Sequence, residues 1–190
     1  PTTCRRQRQM CIRDSYNAYD LVSKLEKECL TLKIVFEIIC IDDASFSPLN
    51  ELNQKINILT NCKFFESKKN IGRSENRQLL SKKAQYEWLL YIDVDVKPLN
   101  DDFIKVYLNE IKKGFEVVFG GFNYKNIESN NLRYLFGKSR EDIPSITRNK
   151  NPYKYIISSN FLVKKVIFDK INKNININGY GMDYFFGALL

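Results

Sequence analysis

Apolar positions along this chain follow two alternating rhythms, and their alternation predicts the architecture. From Tyr19 to Leu32, the residues Leu21, Val22, Leu25, Cys29 and Leu30 recur at helical spacing. Ile34 to Ile41 is apolar apart from Glu37 and predicts a buried strand ending at Asp42-Asp43. Ser47-Pro48 reads as an N-cap followed by proline at the first helical position, opening a short helix that ends near Ile56. Cys62 to Phe65 predicts a short strand, Asn70-Ile71-Gly72 a turn, and Arg73 to Gln85 a helix carrying Leu79, Leu80 and Ala84. Trp88-Leu89-Leu90-Tyr91-Ile92 then predicts a strand buried on both faces, running straight into Asp93-Val94-Asp95. A helix follows from Asp101 to Lys113, with Phe103, Ile104, Tyr107, Leu108 and Ile111 on one face and Gly114 as its stop.

Val117-Val118-Phe119 predicts another strand, ending at Gly120-Gly121. Residues 122–157 are polar and irregular and read as substrate-facing loops. Phe161-Leu162-Val163 predicts a short strand and Lys164 to Ile171 a short helix. Met182, Phe185, Phe186 and Leu189 close the chain at helical spacing. Strands alternating with helices imply an α/β fold with a mostly parallel central sheet flanked by helices.

Composition narrows this picture. A chain of 190 residues, 44% hydrophobic and 13% aromatic, can bury a sizeable core and is not disordered. It contains no apolar run of the ~18 residues that a membrane span requires, which places these residues in the cytoplasm or at the inner face of a membrane. The net charge of +8 invites a nucleic-acid reading. Arg5, Arg6, Arg8 and Arg13 against Asp14 supply part of it, however, and the later lysines form no stripe interleaved with stacking aromatics. No nucleic-acid partner is therefore expected; anionic phosphates or acidic lipid suit the charge equally well. The string PTTCRRQRQMCIRDS resembles translated adapter or vector sequence, so residues 1–15 are expected to be a non-native tail. The rest, 16–190, is expected to be a single catalytic domain, incomplete at both ends. Five cysteines without a C-x-x-C pair indicate neither zinc nor a disulfide framework. The absence of histidine removes histidine bases, Ser-His-Asp triads and histidine metal ligands from these residues.

Four constellations carry candidate chemistry. Asp93 and Asp95 lie at the carboxyl end of an apolar strand, where open α/β sheets place ligands. Hard oxygen ligands there suit Mg²⁺ or Mn²⁺ bridging to phosphate. Asp42-Asp43-Ala44-Ser45 can accept from a uracil imide or ribose hydroxyls, or form an ordinary capping turn. Gly72, Arg73 and Arg77 start a helix whose N–H groups and positive dipole suit a diphosphate. Two arginines four apart share a helix face, either as a phosphate clamp or as a solvated surface. Gly179-Tyr180-Gly181-Met182-Asp183 is a glycine-flexed loop that delivers one acid to a helix start, as a functional group or as a cap.

In this order and spacing the set resembles the family 2 glycosyltransferases, inverting enzymes of the GT-A fold that use nucleotide-diphosphate sugars. The matching stretches are Tyr16-Asn17, IDDAS at 41–45, NIGRSENRQLL at 70–80, WLLYIDVDVKP at 88–98, VVFGG at 117–121 and NGYGMDYFFG at 178–187. The resemblance implies that Asp42 and Asp43 contact the nucleoside, Asp43 at the base. Arg77, with Gly72 and Arg73, faces the nucleotide or diphosphate. Asp93 reaches the ribose or the metal shell, and Asp95 binds Mg²⁺ or Mn²⁺. Asp183 stands where the family places its acceptor-activating base, with Gly179, Tyr180 and Gly181 on the acceptor side. The donor is expected to be a UDP-sugar and the acceptor a saccharide or lipid-linked glycan, with contact at a membrane surface.

Three departures stand out. Asp183-Tyr184 replaces the family's Glu-Asp, and Gln78 replaces an asparagine. The family's opening strand, normally in mid-sheet, is replaced by residues 1–15, of which Gln9 to Ile12 would be a poor substitute. Two other functions remain in view: a nucleotide-sugar-binding domain without turnover, and a basic nucleic-acid-binding module.

Overall fold

The computed structural model describes residues 16–124, 131–172 and 182–190, with the backbone alone at 133 and 182–185. The expected tail 1–15 lies outside the described residues. The chain divides into two compact units, residues 1–87 and 88–190.

The first unit opens with helix α1 (Ala18–Thr31), whose N-cap Asn17 accepts from the Asp20 amide. Its Val22, Leu25 and Cys29 are buried at the spacing that the sequence predicts. Strand β1 (Ile38–Asp42) pairs in parallel with β2 (Cys62–Glu66), in a register that sets Asp42 opposite Glu66. Between them run the short helix α2 (Asn50–Asn53) and a 3₁₀ turn (Gln54–Ile58) whose Ile56 is fully buried. Helix α3 (Arg73–Lys83) closes the unit.

The predicted strand at Ile34 is shorter than its apolar run. Lys33 turns the chain at φ 53, Ile34 donates to the Cys29 carbonyl and Val35 is 79% exposed, so pairing starts only at Ile38. Buried polar groups tie the unit together. The Asn53 carboxamide accepts from the Ala18 amide at 2.9 Å and donates to the Tyr16 carbonyl at 3.3 Å, while the buried Glu26 carboxylate accepts from the Thr60 amide at 2.7 Å. Each satisfies a backbone group that would otherwise be costly to bury.

The second unit is a three-stranded sheet in the order β3 (Trp88–Ile92), β5 (Asn160–Lys164), β4 (Val117–Phe119). β5 runs antiparallel to both neighbours, so β3 and β4 point the same way and bring their carboxyl ends to one edge. Helices α4 (Phe103–Lys112), α7 (Lys165–Asn172) and α8 (Met182–Leu189) belong to this unit. An aromatic cluster forms its core. The Tyr91 ring lies 5.0 Å from Phe161 and 4.8 Å from Phe168, and Phe186 sits 5.7 Å from Phe161. At these separations aromatic pairs add to their burial energy. Phe186 thereby anchors α8, and Gly187 lets it approach closely: a Cβ there would stand 2.6 Å from Ile156.

The stretch expected to be irregular loops also holds helices α5 (Leu132–Glu141) and α6 (Ser145–Arg148) and a 3₁₀ turn (Pro152–Lys154). Leu132, Leu135 and Phe136 share one face of α5, a helical period masked in the sequence by the polar residues around it. Among the described residues, β1 pairs only with β2 and β3 only with β5. Three of the cysteines, Cys29, Cys40 and Cys62, are free thiols.

Candidate functional site

In the first unit, the acids at the tip of β1 organise backbone. Asp43 is 3% exposed, and its two carboxylate oxygens accept from the amides of Ile71 and Gly72, each at 2.8 Å. The Asn70 carboxamide returns a bond to the Asp43 carbonyl at 3.0 Å. The tip of β1 and the turn that opens α3 are thus joined by one carboxylate. Asp42, also buried, accepts from the Ser45 amide at 2.9 Å and from the Asn50 carboxamide at 3.2 Å. The same asparagine reaches Glu66 at 3.1 Å. The loop between these acids and α2 is tightly wound, with Ala44 at φ 59 and Phe46 at φ 53, both in the left-handed region that L side chains seldom adopt.

Gly72 sits at φ 88 as the N-cap of α3, and a Cβ built on it would meet nothing within 4 Å. Backbone conformation, not crowding, requires glycine here, and the space beside the helix start is open. The Asn76 amide makes the first helical bond, to the Gly72 carbonyl at 2.9 Å. The preceding amides point out of the helix end, the arrangement that favours anions. Arg73 and Arg77 are both half-buried on this helix. Beside them, the Asn76 Oδ1 is buried without a hydrogen-bond partner among the described residues.

In the second unit, Asp93 leaves β3 by donating its amide to the Ser159 carbonyl at 2.9 Å, and its own carbonyl accepts from Val96 at 3.2 Å. Asp93 and Asp95 therefore occupy one tight turn, the first half-buried and the second exposed. Among the described residues no group of three or more metal-ligating side chains occurs. Two carboxylates on a turn nevertheless match what Mg²⁺ takes from a protein, which is one or two carboxylates with substrate phosphates and waters completing the shell. Asp183 is the second residue of α8. Gly179, Tyr180 and Gly181 lie outside the described residues.

The same edge of the second unit holds groups that the sequence reading missed. The Gly120 amide donates to the Asn160 carbonyl at 2.8 Å, and the Tyr107 hydroxyl donates to the Asn160 Oδ1 at 2.5 Å. A Cβ on Gly120 would lie 2.2 Å from the Asn160 amide nitrogen and 2.5 Å from the Tyr107 hydroxyl, so this position requires glycine. Arg148 donates from Nε to the Ile143 carbonyl at 3.1 Å, and from Nη1 to the carbonyls of Phe119 at 3.3 Å and Gly120 at 2.6 Å. Burial pulls its pKa down, with Tyr107 acting weakly the other way. The Tyr107 hydroxyl is itself held neutral, its pKa pushed up by burial. The Gly120-Gly121 pair was the available signal, since adjacent glycines after a strand mark a close approach.

Each unit thus carries acids at strand tips. The first adds a glycine-started helix, and the second a carboxylate turn and, on the same sheet edge, an arginine held by carbonyls. These are the attributes of α/β proteins that hold phosphorylated ligands at the carboxyl ends of their strands. The comparisons with known proteins agree. The model of glycosyl transferase family 2 matches residues 14–173, so the chain belongs to that family. Its fold, the GT-A fold, recurs in the crystal structure of S. aureus TarS 1-349, with a TM-score of 0.64 at 15% identity over 92% of this chain. The same TarS fragment in complex with UDP-GlcNAc matches with a TM-score of 0.60 at 16% identity, and in complex with UDP with 0.56 at 17%. The chain spans about half of these structures, 52% and 50% of the first two. No curated protein sequence matches it.

Proposed function

We propose that this chain is the donor-binding part of an inverting glycosyltransferase that takes a nucleotide-diphosphate sugar, with UDP as the nucleotide. Its family carries the reading, together with one geometric observation: the Asp43 carboxylate fixes the turn from which α3 presents its N-terminus. The TarS structures with UDP and UDP-GlcNAc support a uridine donor. In this reading Asp42 and Asp43 shape the nucleoside pocket, Asp43 near the base. Gly72, Arg73 and Arg77 face the diphosphate.

Asp93 and Asp95 would hold Mg²⁺ or Mn²⁺ with substrate phosphates. Bound there, the cation supplies charge to offset that developing on the leaving diphosphate. The chain's own part in transfer falls to Asp183. Its carboxylate takes the proton of an acceptor hydroxyl as that oxygen bonds the anomeric carbon, while the bond from that carbon to the diphosphate oxygen breaks on the opposite face. The acceptor in this reading is a saccharide or lipid-linked glycan. None of the described helices is long and apolar enough to cross a membrane.

The test is calorimetric titration of UDP with Mn²⁺, followed by UDP-sugar hydrolysis and transfer assays on the wild type, Asp95→Ala and Asp183→Ala. Asp95→Ala is expected to weaken metal-dependent UDP binding. Asp183→Ala should leave binding intact and abolish transfer. Wild-type behaviour of both variants would sink the assignment, whereas UDP binding without turnover by the wild type would favour a binding domain.

A further inference from the structure

We propose that Arg148 is a phosphoryl-binding residue of this site, engaging a phosphate through its Nη2 edge while backbone carbonyls hold the rest of its guanidinium. The inference rests on reading the carboxyl ends of β3 and β4 as ligand-facing, and it adds a cation that neither the motifs nor the family comparison assigns.

The argument starts from the contacts. Nε and Nη1 bind the carbonyls of Ile143, Phe119 and Gly120. These are dipoles, so they orient the group without neutralising it. No carboxylate pairs with Arg148 among the described residues, and its phenol neighbour Tyr107 is uncharged. A half-buried guanidinium without a counter-ion among the described residues is costly, because burial weakens its hydration and the carbonyls bonded to it carry no compensating charge. Nη2 makes no bond among the described residues. It lies beside Gly121, 3.1 Å from where a Cβ would stand, so a side chain at 121 would crowd it.

Position supports the assignment. Arg148 binds Gly120, Gly120 binds Asn160, and the adjacent Ser159 binds Asp93, so the arginine belongs to the strand-end edge that carries the Asp93-Asp95 turn. The neighbouring sequence adds Lys138, Arg140, Lys150 and Lys154. Its two acids are drawn to Tyr124: Glu141 accepts from the hydroxyl, and Asp142 from the amide at 3.2 Å. Four cations against these two acids leave the stretch around Arg148 net positive, which favours anions. Nη2 keeps two N–H donors on a charged group, which suit a phosphate oxygen. That phosphoryl group can be the donor's diphosphate or a phosphate on the acceptor.

Calorimetry on the 190-residue chain, with UDP, uridine and glycerol 3-phosphate as probes, distinguishes the sources; the unfolding midpoint is recorded alongside. Arg148→Gln is expected to weaken at least one phosphate probe by about tenfold or more, the range of a lost charge-assisted contact, with uridine affinity unchanged. A loss for UDP assigns the group to the donor, and a loss confined to glycerol 3-phosphate assigns it to the acceptor. Equal affinities in wild type and Arg148→Gln overturn the proposal. So does a wild type that binds uridine but no phosphate probe, which leaves the nucleotide reading standing. Conversely, Arg148-dependent glycerol 3-phosphate binding without UDP or uridine binding keeps Arg148 and removes the nucleotide reading. Should Arg148→Gln fail to fold, Arg148→Lys decides. It keeps the charge and loses the carbonyl-held guanidinium that places Nη2, so a several-fold weaker phosphate affinity supports the proposal and an unchanged one overturns it.

Discussion

Replacing Asp43 with alanine tests whether one carboxylate builds the start of α3. The substitution removes two hydrogen bonds of 2.8 Å, to the amides of Ile71 and Gly72, from a residue 3% exposed. A hydrogen bond to a charged acceptor contributes about 1.5–3 kcal/mol net. Taking the lower end for each bond gives about 3 kcal/mol together. Losing an anion at the helix N-terminus adds about 0.3–1 kcal/mol. A total near ~3.5 kcal/mol lowers the melting temperature of a chain of this size by about 7–14 °C.

Asp43→Asn keeps one acceptor and turns its amide nitrogen toward the other N–H, so roughly half the effect is expected. Thermal unfolding by circular dichroism gives the midpoints, and amide hydrogen exchange reads Ile71 and Gly72 directly. An Asp43→Ala chain that melts within about 2 °C of wild type and keeps both amides protected would refute the reasoning. If Asp43→Asn lowers uridine affinity while both amides stay protected, the carboxylate acts on the base and not on the turn.

Other outcomes follow from the same geometry. Gly120→Ala drives a methyl into Asn160 and the Tyr107 hydroxyl, and should cost about 2–4 kcal/mol; a smaller cost in a Tyr107→Phe background would confirm the clash by double-mutant cycle. Phe161→Ala removes the ring at the centre of the aromatic cluster and should cost about 3–5 kcal/mol in denaturant unfolding. Asn76→Ala deletes a buried acceptor that has no partner among the described residues and raises helix propensity, so a gain of up to about 1 kcal/mol is expected; a loss would mean that the carboxamide is bonded in solution. Burial pushes the thiols of Cys29 and Cys62 up to about 11 and that of Cys40 up to about 12, from an ordinary 9.0. Folded pKa values above the unfolded ones mean that this stability is complete below pH 9.0 and is lost as pH rises toward 11 and 12. Unfolding midpoints should therefore fall across that window, less steeply in Cys40→Ala, and iodoacetamide should label the native thiols slowly at pH 8.

Periodicity revealed most of the fold, because burial imposes it. α1, α3, β2, β3, β4, β5 and α7 lie within a few residues of their predicted positions. It failed where another force acted. The left-handed Lys33 delays β1, a conformation that the apolar run at Ile34 does not encode. Helices α5 and α6 were hidden because their few apolar residues, Leu132, Leu135, Phe136 and Ile146, are exposed and lie within a polar stretch. The antiparallel sense of β5 was not legible either, since a run as short as Phe161-Leu162-Val163 carries no mark of direction. Among candidate site residues, motif spacing singled out the acids and Gly72. Arg148, Tyr107 and Asn160 escaped because their meaning depends on three distant segments meeting at Gly120.

A structural role for the strand-tip acids is compatible with the proposed functional one. Asp42 and Asp43 do cap turns, with their carboxylate oxygens bonded to Ser45, Asn50, Ile71 and Gly72. That same bonding fixes where the first amides of α3 point, and therefore where an anion would be received. In the proposed reading, a capping carboxylate here would set an electrostatic site at one remove. It needs no contact of its own to influence what binds, and a variant that spares the turn but changes the base would separate the two effects. The turn after β3 differs: Asp95 is exposed and Asp93 half-buried, so this acidic pair is more open to solvent. Identical residues in similar strand-end positions thus differ by burial. The buried pair shapes backbone, and the exposed turn is the one suited to a cation and its phosphates.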